Sequence, residues 1–196
     1  MIRALSTSAA EQAETIAFLG DPATYGPGCK AVELHETHGA IVFLAGDRAY
    51  KLKRAIGYPY MDYSTPALRE AMCKAELAVN RRTAPNLYLA AEPVVRTKGG
   101  TLALGQEADA GIPVDWVVVM RRFAQADLLE ERRKRGALAV GLMRTLGEPI
   151  ARFHAGAELT PQWGGAPGIA RVIAENSRMF RLFERQPFEP ADVAAY

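Results

Sequence analysis

Cysteine is scarce in this chain, and the scarcity excludes two kinds of architecture. Cys29 and Cys73 are the only two, too few and too isolated for a disulfide framework or a zinc site. Long apolar runs are also missing, since no stretch approaches the roughly 18 consecutive apolar residues of a membrane span. Arg3 near the N-terminus is not followed by the apolar segment of a secretory signal, so a cytoplasmic location and no membrane partner are expected. No charge of one sign dominates: the formal net charge of +2 is too small to argue for nucleic acid or an anionic surface as partner. Neither a Gly-x-Gly-x-x-Gly loop nor a Walker A motif occurs, and there is no internal repeat or low-complexity segment.

What is present is ordinary in amount and informative in order. With 196 residues, 49% hydrophobic and 23% charged, the chain can bury one sizeable core or two small lobes sharing a cleft. Ser8 and Glu11 have capping-box spacing and predict a helix to Leu19, stopped by Gly20-Asp21-Pro22. Strands are expected over Lys30–Glu36, Ala40–Ala45 and Arg48–Arg54, the last two joined by a Gly46-Asp47 hairpin turn. Gly57-Tyr58-Pro59-Tyr60 reads as a connector. Thr65 then caps a helix with Pro66 at its first position, running through Arg82 before Pro85. Leu68, Met72, Ala75 and Val79 predict the apolar stripe of that helix.

Further strands are expected over Leu87–Val95, Thr101–Leu104 and Val114–Met120. Beyond Met120 the pattern becomes helical: Asp127–Arg135, a longer helix marked by Leu138 to Phe153 with Pro149 inside it, and Ile169–Arg185. Strands before Met120 and helices after it imply an α+β chain of two lobes, 1–120 and 121–196, rather than a βαβ alternation.

Lys53 ends a strand and Glu76 lies inside the following helix. A strand lysine paired with a helix glutamate is the arrangement with which kinase-like folds hold ATP phosphates, the carboxylate pinning the lysine and the lysine neutralising phosphoryl oxygens. Lys51 lies two residues away on the same strand face and competes for the role. Taken alone, one Lys–Glu pair among so many charges can be a surface coincidence. His35 and His38 need not share a face, and metal binding there is not expected. His154 beside Phe153 is read as structural. Arg132-Arg133-Lys134-Arg135, just before Gly136, reads as a solvated helix end complementing the helix dipole. Trp116 and Trp163 are read as core and loop packing.

In order along the chain, Glu36-Thr37-His38, Phe43 to Lys53, Glu76 to Arg82, Ala84 to Leu89, Val119 to Phe123 and Ile150 to Ala155 resemble the aminoglycoside phosphotransferase-like family. Its bacterial branch often fused to a C-terminal P-loop ATPase domain is the nearest in pattern, over residues 30 to 185. The resemblance implies a protein-kinase-like N-lobe, an antiparallel sheet plus one helix, over 1–120. A hinge and a partial helical C-lobe follow over 121–196. It implies ATP as cofactor, a small-molecule hydroxyl as acceptor of the γ-phosphoryl, and a fused P-loop ATPase domain as a candidate partner in the parent. Lys53 would contact the α- and β-phosphates with Glu76 as its partner, preferred over Lys51 on the family's Tyr-x-Leu-basic pattern. Thr37-His38-Gly39-Ala40 would be the turn over the phosphates. Met120-Arg121-Arg122 would be the hinge that meets the adenine edge, and Val32 and Ala49 would be walls of the adenine slot.

Phosphoryl transfer in such a fold also needs a catalytic-loop aspartate, and an asparagine and second aspartate for Mg²⁺. None of the three histidines opens a His-x-Asp sequence, and Asp192 is the only aspartate after residue 160. The chain ends at Tyr196 within what reads as a new helix begun by Glu189-Pro190-Ala191-Asp192, so a fragment is expected. No catalytic residue is assigned, and Mg²⁺ is expected only in an intact parent. The alternative is a non-catalytic nucleotide-binding or protein-interaction module.

Overall fold

A computed structural model describes residues 9–58, 60–105, 111–162, 164–182 and 191. The chain divides into two compact units between Ala139 and Val140. In the first, helix α1 (Ala9–Gly20) and a 3-10 turn (Pro22–Tyr25) precede strands β1 (Val32–Glu36), β2 (Ala40–Ala45) and β3 (Arg48–Lys53). A small hairpin, β4 (Gly57–Tyr58) and β5 (Met61–Asp62), leads into helix α2 (Pro66–Arg81). Strands β6 (Tyr88–Arg96), β7 (Leu102–Leu104) and β8 (Ile112–Arg121) follow, then a 3-10 turn (Gln125–Asp127) and α3 (Leu129–Lys134). The second unit holds α4 (Val140–Ala155), with Pro149 inside it, and α5 (Gly165–Leu182).

The first unit is α+β. Its main sheet has the order β1-β2-β3-β8-β6-β7, and every neighbouring pair is antiparallel. The six-residue apolar run Ala40–Ala45 forms β2 over the span expected. Gly46 turns it back into β3 at φ +57°, a left-handed conformation that costs glycine no Cβ clash. Thr65 Oγ1 accepts the Leu68 amide at 3.3 Å, and Pro66 fills the first helical position where no N–H is needed.

Two side-chain faces follow from the two-residue period of the strands. On the back face Ile41, Phe43, Leu52, Val94, Val117 and Val119 pack with Leu19 of α1 into the main core. On the front face Trp116 and Val118 pack with Cys73 of α2 in a smaller cluster. The core reading of Trp116 holds; Trp163 lies outside the described residues, as do Pro59 and the Ser8 cap.

Several expectations need correction. The apolar stripe proposed for α2 does not face inward: Met72 is 40% exposed and Val79 59%, and the buried positions are Arg69 and Cys73. The inward side carries charge because α2 sits over lysines and a buried aspartate, so its apolar periodicity misleads. The supposed connector at Gly57–Tyr60 contributes to the β4–β5 hairpin. Strand β8 continues past Met120 to Arg121, and the turn after it lines a cavity of the first unit. Helix α5 begins at Gly165 rather than Ile169, with Pro167 in its first turn. The helix expected from Glu189 lies outside the described residues, apart from Ala191. Among the described residues no helix is long and apolar enough to cross a membrane.

Candidate functional site

A cavity of about 580 Å³ opens on the front face of the sheet, wholly within the first unit. Leu44 of β2, Ala49 of β3, Leu87, Met120 of β8, Phe123 and Leu128 make one part of its wall apolar. His35 and Thr37, Lys51 of β3, Arg122 and Gln125 supply its polar groups. Such a volume, mostly apolar with a few polar groups, is typical of small-molecule sites, which run to roughly 300–1,000 Å³.

Register explains the lining. Leu44 pairs with Ala49, Ala49 with Met120, and Met120 with Tyr88, so one row of side chains crosses β2, β3, β8 and β6 on the front face. Lys51 stands opposite Val42 and Val118, one step along that face. Val32, expected in the slot, packs instead against the back-face core. Its place is taken by Leu44 and Val42.

Glu76 receives both lysines. Its Oε1 accepts from Lys51 Nζ at 2.8 Å and its Oε2 from Lys53 Nζ at 2.7 Å. The side chains of Lys51, Lys53 and Glu76 are 31%, 5% and 13% exposed. The lysine that lines the cavity is therefore Lys51, and Lys53, favoured on pattern, is enclosed behind it. The Tyr63 ring closes over the Lys53 ammonium with its centroid 4.8 Å away. Burial pushes Lys53 down, but the hydrogen bond and charge of Glu76 override it and raise the lysine above its ordinary value. Burial likewise acts to raise Glu76, and the two lysines outweigh it and hold the carboxyl low. Burial pushes the nearby Cys73 thiol up to about 12, which keeps it protonated and unreactive.

A second charged group fixes this one. Asp115 is 1% exposed and accepts from Arg69 Nε at 2.6 Å, Gln12 Nε2 at 2.7 Å and the Trp116 amide at 2.8 Å. Gln12 of α1 also donates to the Lys53 carbonyl at 2.9 Å and accepts the Ala55 amide at 2.6 Å, prolonging the strand ladder past the end of β3. Arg69 of α2 donates to the Tyr63 carbonyl at 2.9 Å. Helices α1 and α2 thus meet on one buried aspartate, and Gln12 of α1 also holds the backbone on either side of Arg54. Sequence reading missed all three residues. Asp115, a charge at the head of an apolar strand, was the available signal; Gln12 offered none.

The other expected site residues divide. Thr37 lines the cavity, and its hydroxyl closes the β1–β2 turn by donating to the Ala40 carbonyl and accepting the Ala40 amide. His38 points elsewhere: its ring stacks on Tyr58, centroids 5.0 Å apart, and its Nε2 lies 3.0 Å from the Tyr60 hydroxyl. Gly39 packs against Met61, where an added Cβ would lie 3.1 Å from the terminal methyl. His35 lines the cavity and His38 does not. Met120 and Arg122 line the cavity, but two amides of the segment expected as a hinge are already engaged, Arg121 N–H with the Leu87 carbonyl and Arg122 N–H with that of Asp47. The Arg122 guanidinium pairs with Glu33 at 2.6 Å.

No family model matches the chain. No solved structure matches it either. It is similar to the uncharacterized proteins Rv2004c of Mycobacterium tuberculosis and Mb2027c of Mycobacterium bovis, each 32% identical over 123 residues. The match takes in 63% of this chain and 22% of each relative, so the chain spans about a fifth of the length of the curated relatives it matches. Among the described residues no three His, Cys, Asp or Glu side chains gather into a metal site, and no Mg²⁺ ligand set is assigned. Both cysteines are free. The Arg132–Arg135 run is a solvated helix end, with Arg132, Arg133 and Lys134 paired to Asp127, Glu130 and Glu131.

Proposed function

We propose that this chain carries the ATP-gripping part of a small-molecule phosphotransferase with a kinase-like N-lobe, as its resemblance to the aminoglycoside phosphotransferase-like family implies. The observation that carries the reading is Lys51: it lines a largely apolar cavity on the sheet and is pinned by a glutamate from the helix that follows its strand. Such a lysine neutralises phosphoryl charge. The apolar wall of Leu44, Ala49, Leu87 and Met120 suits a flat base.

The geometry supports a division of roles in this reading. Lys51 takes the phosphate role in preference to Lys53, because a 5% exposed side chain cannot meet a ligand in the cleft without rearrangement. Anion contacts from the β1–β2 turn fall to the amides of His38 and Gly39, since those of Thr37 and Ala40 are spent within the turn. The edge of the base falls to hinge carbonyls and the Phe123 amide, beyond the two amides already bonded. ATP would supply the γ-phosphoryl; the acceptor and the catalytic base belong to the whole protein.

Calorimetry with ATP and with adenosine tests this. Both should bind the chain, ATP more tightly. Lys51→Met should weaken ATP about tenfold or more and leave adenosine unchanged, the loss of one close charge partner. Ala49→Trp, filling the slot, should abolish both. A wild-type chain that binds neither ligand would end the reading.

A further inference from the structure

Glu76 serves two lysines, and only one of them reaches the cleft. A single lysine paired with a single carboxylate has no net charge, so its attraction for an arriving polyanion is largely spent. Two ammoniums on one carboxylate leave a net charge of +1, and burial decides where it is presented. Lys53 is closed off by Tyr63 and Glu76, with its own carbonyl held by Gln12. Lys51 faces the cavity. The helix side is held as firmly, since Asn80 Nδ2 donates to the Glu76 carbonyl at 2.8 Å one turn on.

We propose that Lys53 is a positioning residue: it neutralises and anchors Glu76 from behind, so that Lys51 presents an uncompensated positive charge to phosphate oxygens in the cleft. This rests on the nucleotide reading and deepens it, by dividing between two lysines what one lysine does elsewhere. Lys53 touches no ligand. Its effect runs through the charge on Glu76.

The division predicts an asymmetry between the lysines. Lys53→Met makes the cluster neutral and should weaken ATP about ten- to a hundredfold, as loss of a neighbouring opposite charge shifts such equilibria by one to two logarithmic units. Adenosine binding should stay unchanged. Adding Glu76→Gln to Lys53→Met restores the +1 charge at Lys51 and should bring ATP affinity back to within a few-fold of wild type. Adding Glu76→Gln to Lys51→Met should restore nothing, because the remaining lysine cannot reach the cleft.

Acidity supplies a readout that a purely structural role would not move. The groups facing Glu76 are Lys51 and Lys53 of β3, Cys73 on α2 itself and Tyr88 of β6, while Tyr63 ahead of α2 lies against Lys53. None of them is a carboxylate, so acidification in the carboxylate range acts through Glu76 itself. In Lys53→Met, lowering the pH through that range should raise ATP affinity relative to wild type, as protonation of Glu76 frees Lys51.

The experiment is calorimetry with ATP and adenosine on the full chain and these four variants, with ATP repeated across the carboxylate range. Rescue of Lys53→Met alone supports the proposal. Equal rescue of both lysine variants, or rescue of neither, overturns it while leaving the nucleotide reading intact, provided Lys51→Met still weakens ATP. A wild type that binds neither ligand defeats both. If Lys53→Met does not fold, Lys53→Met/Glu76→Gln decides, since it buries no unpaired charge: ATP affinity within a few-fold of wild type supports the proposal, and a loss of about tenfold or more overturns it.

Discussion

The two faces of the main sheet are built from the same strands and held by different forces. Behind it, Phe43, Leu52, Val117 and Val119 close with Leu19 of α1 into an apolar core. In front, α2 covers its part of the sheet with Arg69, Cys73 and Glu76, and the rest is left open as the cleft. Burial of apolar area is non-directional and makes the back face the reservoir of stability. Ion pairs are directional and contribute little net energy once desolvation is counted. They fix positions instead, and position is what a ligand site needs.

The largest effect is expected where the back face is emptied. Phe43 is 0% exposed, and Phe43→Ala should cost about 3–5 kcal/mol for the lost transfer energy and the cavity left behind. Denaturant unfolding monitored by circular dichroism measures it. A cost below about 1 kcal/mol would mean that this face is not the main core, since core truncations of this size run well above it.

Next comes the ion pair that joins the two helices. Arg69→Met strips Asp115 of its guanidinium partner, and breaking a buried pair from one side costs about 3–5 kcal/mol. The low end of that range is expected, because Gln12 and the Trp116 amide still bond the carboxylate. Arg69→Met combined with Asp115→Leu should recover much of the loss, as an apolar pair needs no desolvation. The core variant has no such rescue, and that contrast separates the two faces in one set of unfolding curves.

A smaller effect, and one that depends on pH, is expected at Glu76. Its carboxyl is held below the ordinary 4.5, so it contributes stability that is present above that value and lost as pH falls through the lowered one. Lys53 is raised above 10.5; its contribution is present below that value and lost as pH rises through the raised one. Glu76→Gln should therefore flatten both limbs of the stability profile, read as unfolding midpoint against pH. Acid and alkaline limbs identical to wild type would show that the cluster is not formed in solution.

The strands of the back face were legible because burial on a sheet leaves a short apolar run, and Ala40–Ala45 is one. Glu76 was legible as the lysines' partner, but which lysine faced the cleft was not. Lys51 and Lys53 share a strand face, and only the Tyr63 ring and the covering helix distinguish them. Gln12 could not be found at all. A neutral amide in a helix carries no mark of the three buried bonds it makes to partners 41 to 103 residues away.

Helix α2 shows the same limit within one element, and it gives the smallest predicted effect. Two stripes with helical spacing run along it: Leu68, Met72, Ala75 and Val79 on one side, Arg69, Cys73, Glu76 and Asn80 on the other. Hydrophobicity alone selects the first, and the structure buries Arg69 and Cys73 of the second, with Glu76 13% exposed. Val79→Ser and Met72→Gln should each change stability by no more than about 0.5 kcal/mol, as surface substitutions usually do. Cys73→Ser should cost roughly 1–3 kcal/mol, because a fully buried hydroxyl must replace a thiol beside Trp116. The size of the gap between the two stripes measures how far charge, rather than apolar periodicity, orients this helix. A Met72 variant as damaging as the Cys73 one would restore the apolar stripe as the inward face and, with it, take Glu76 away from both lysines.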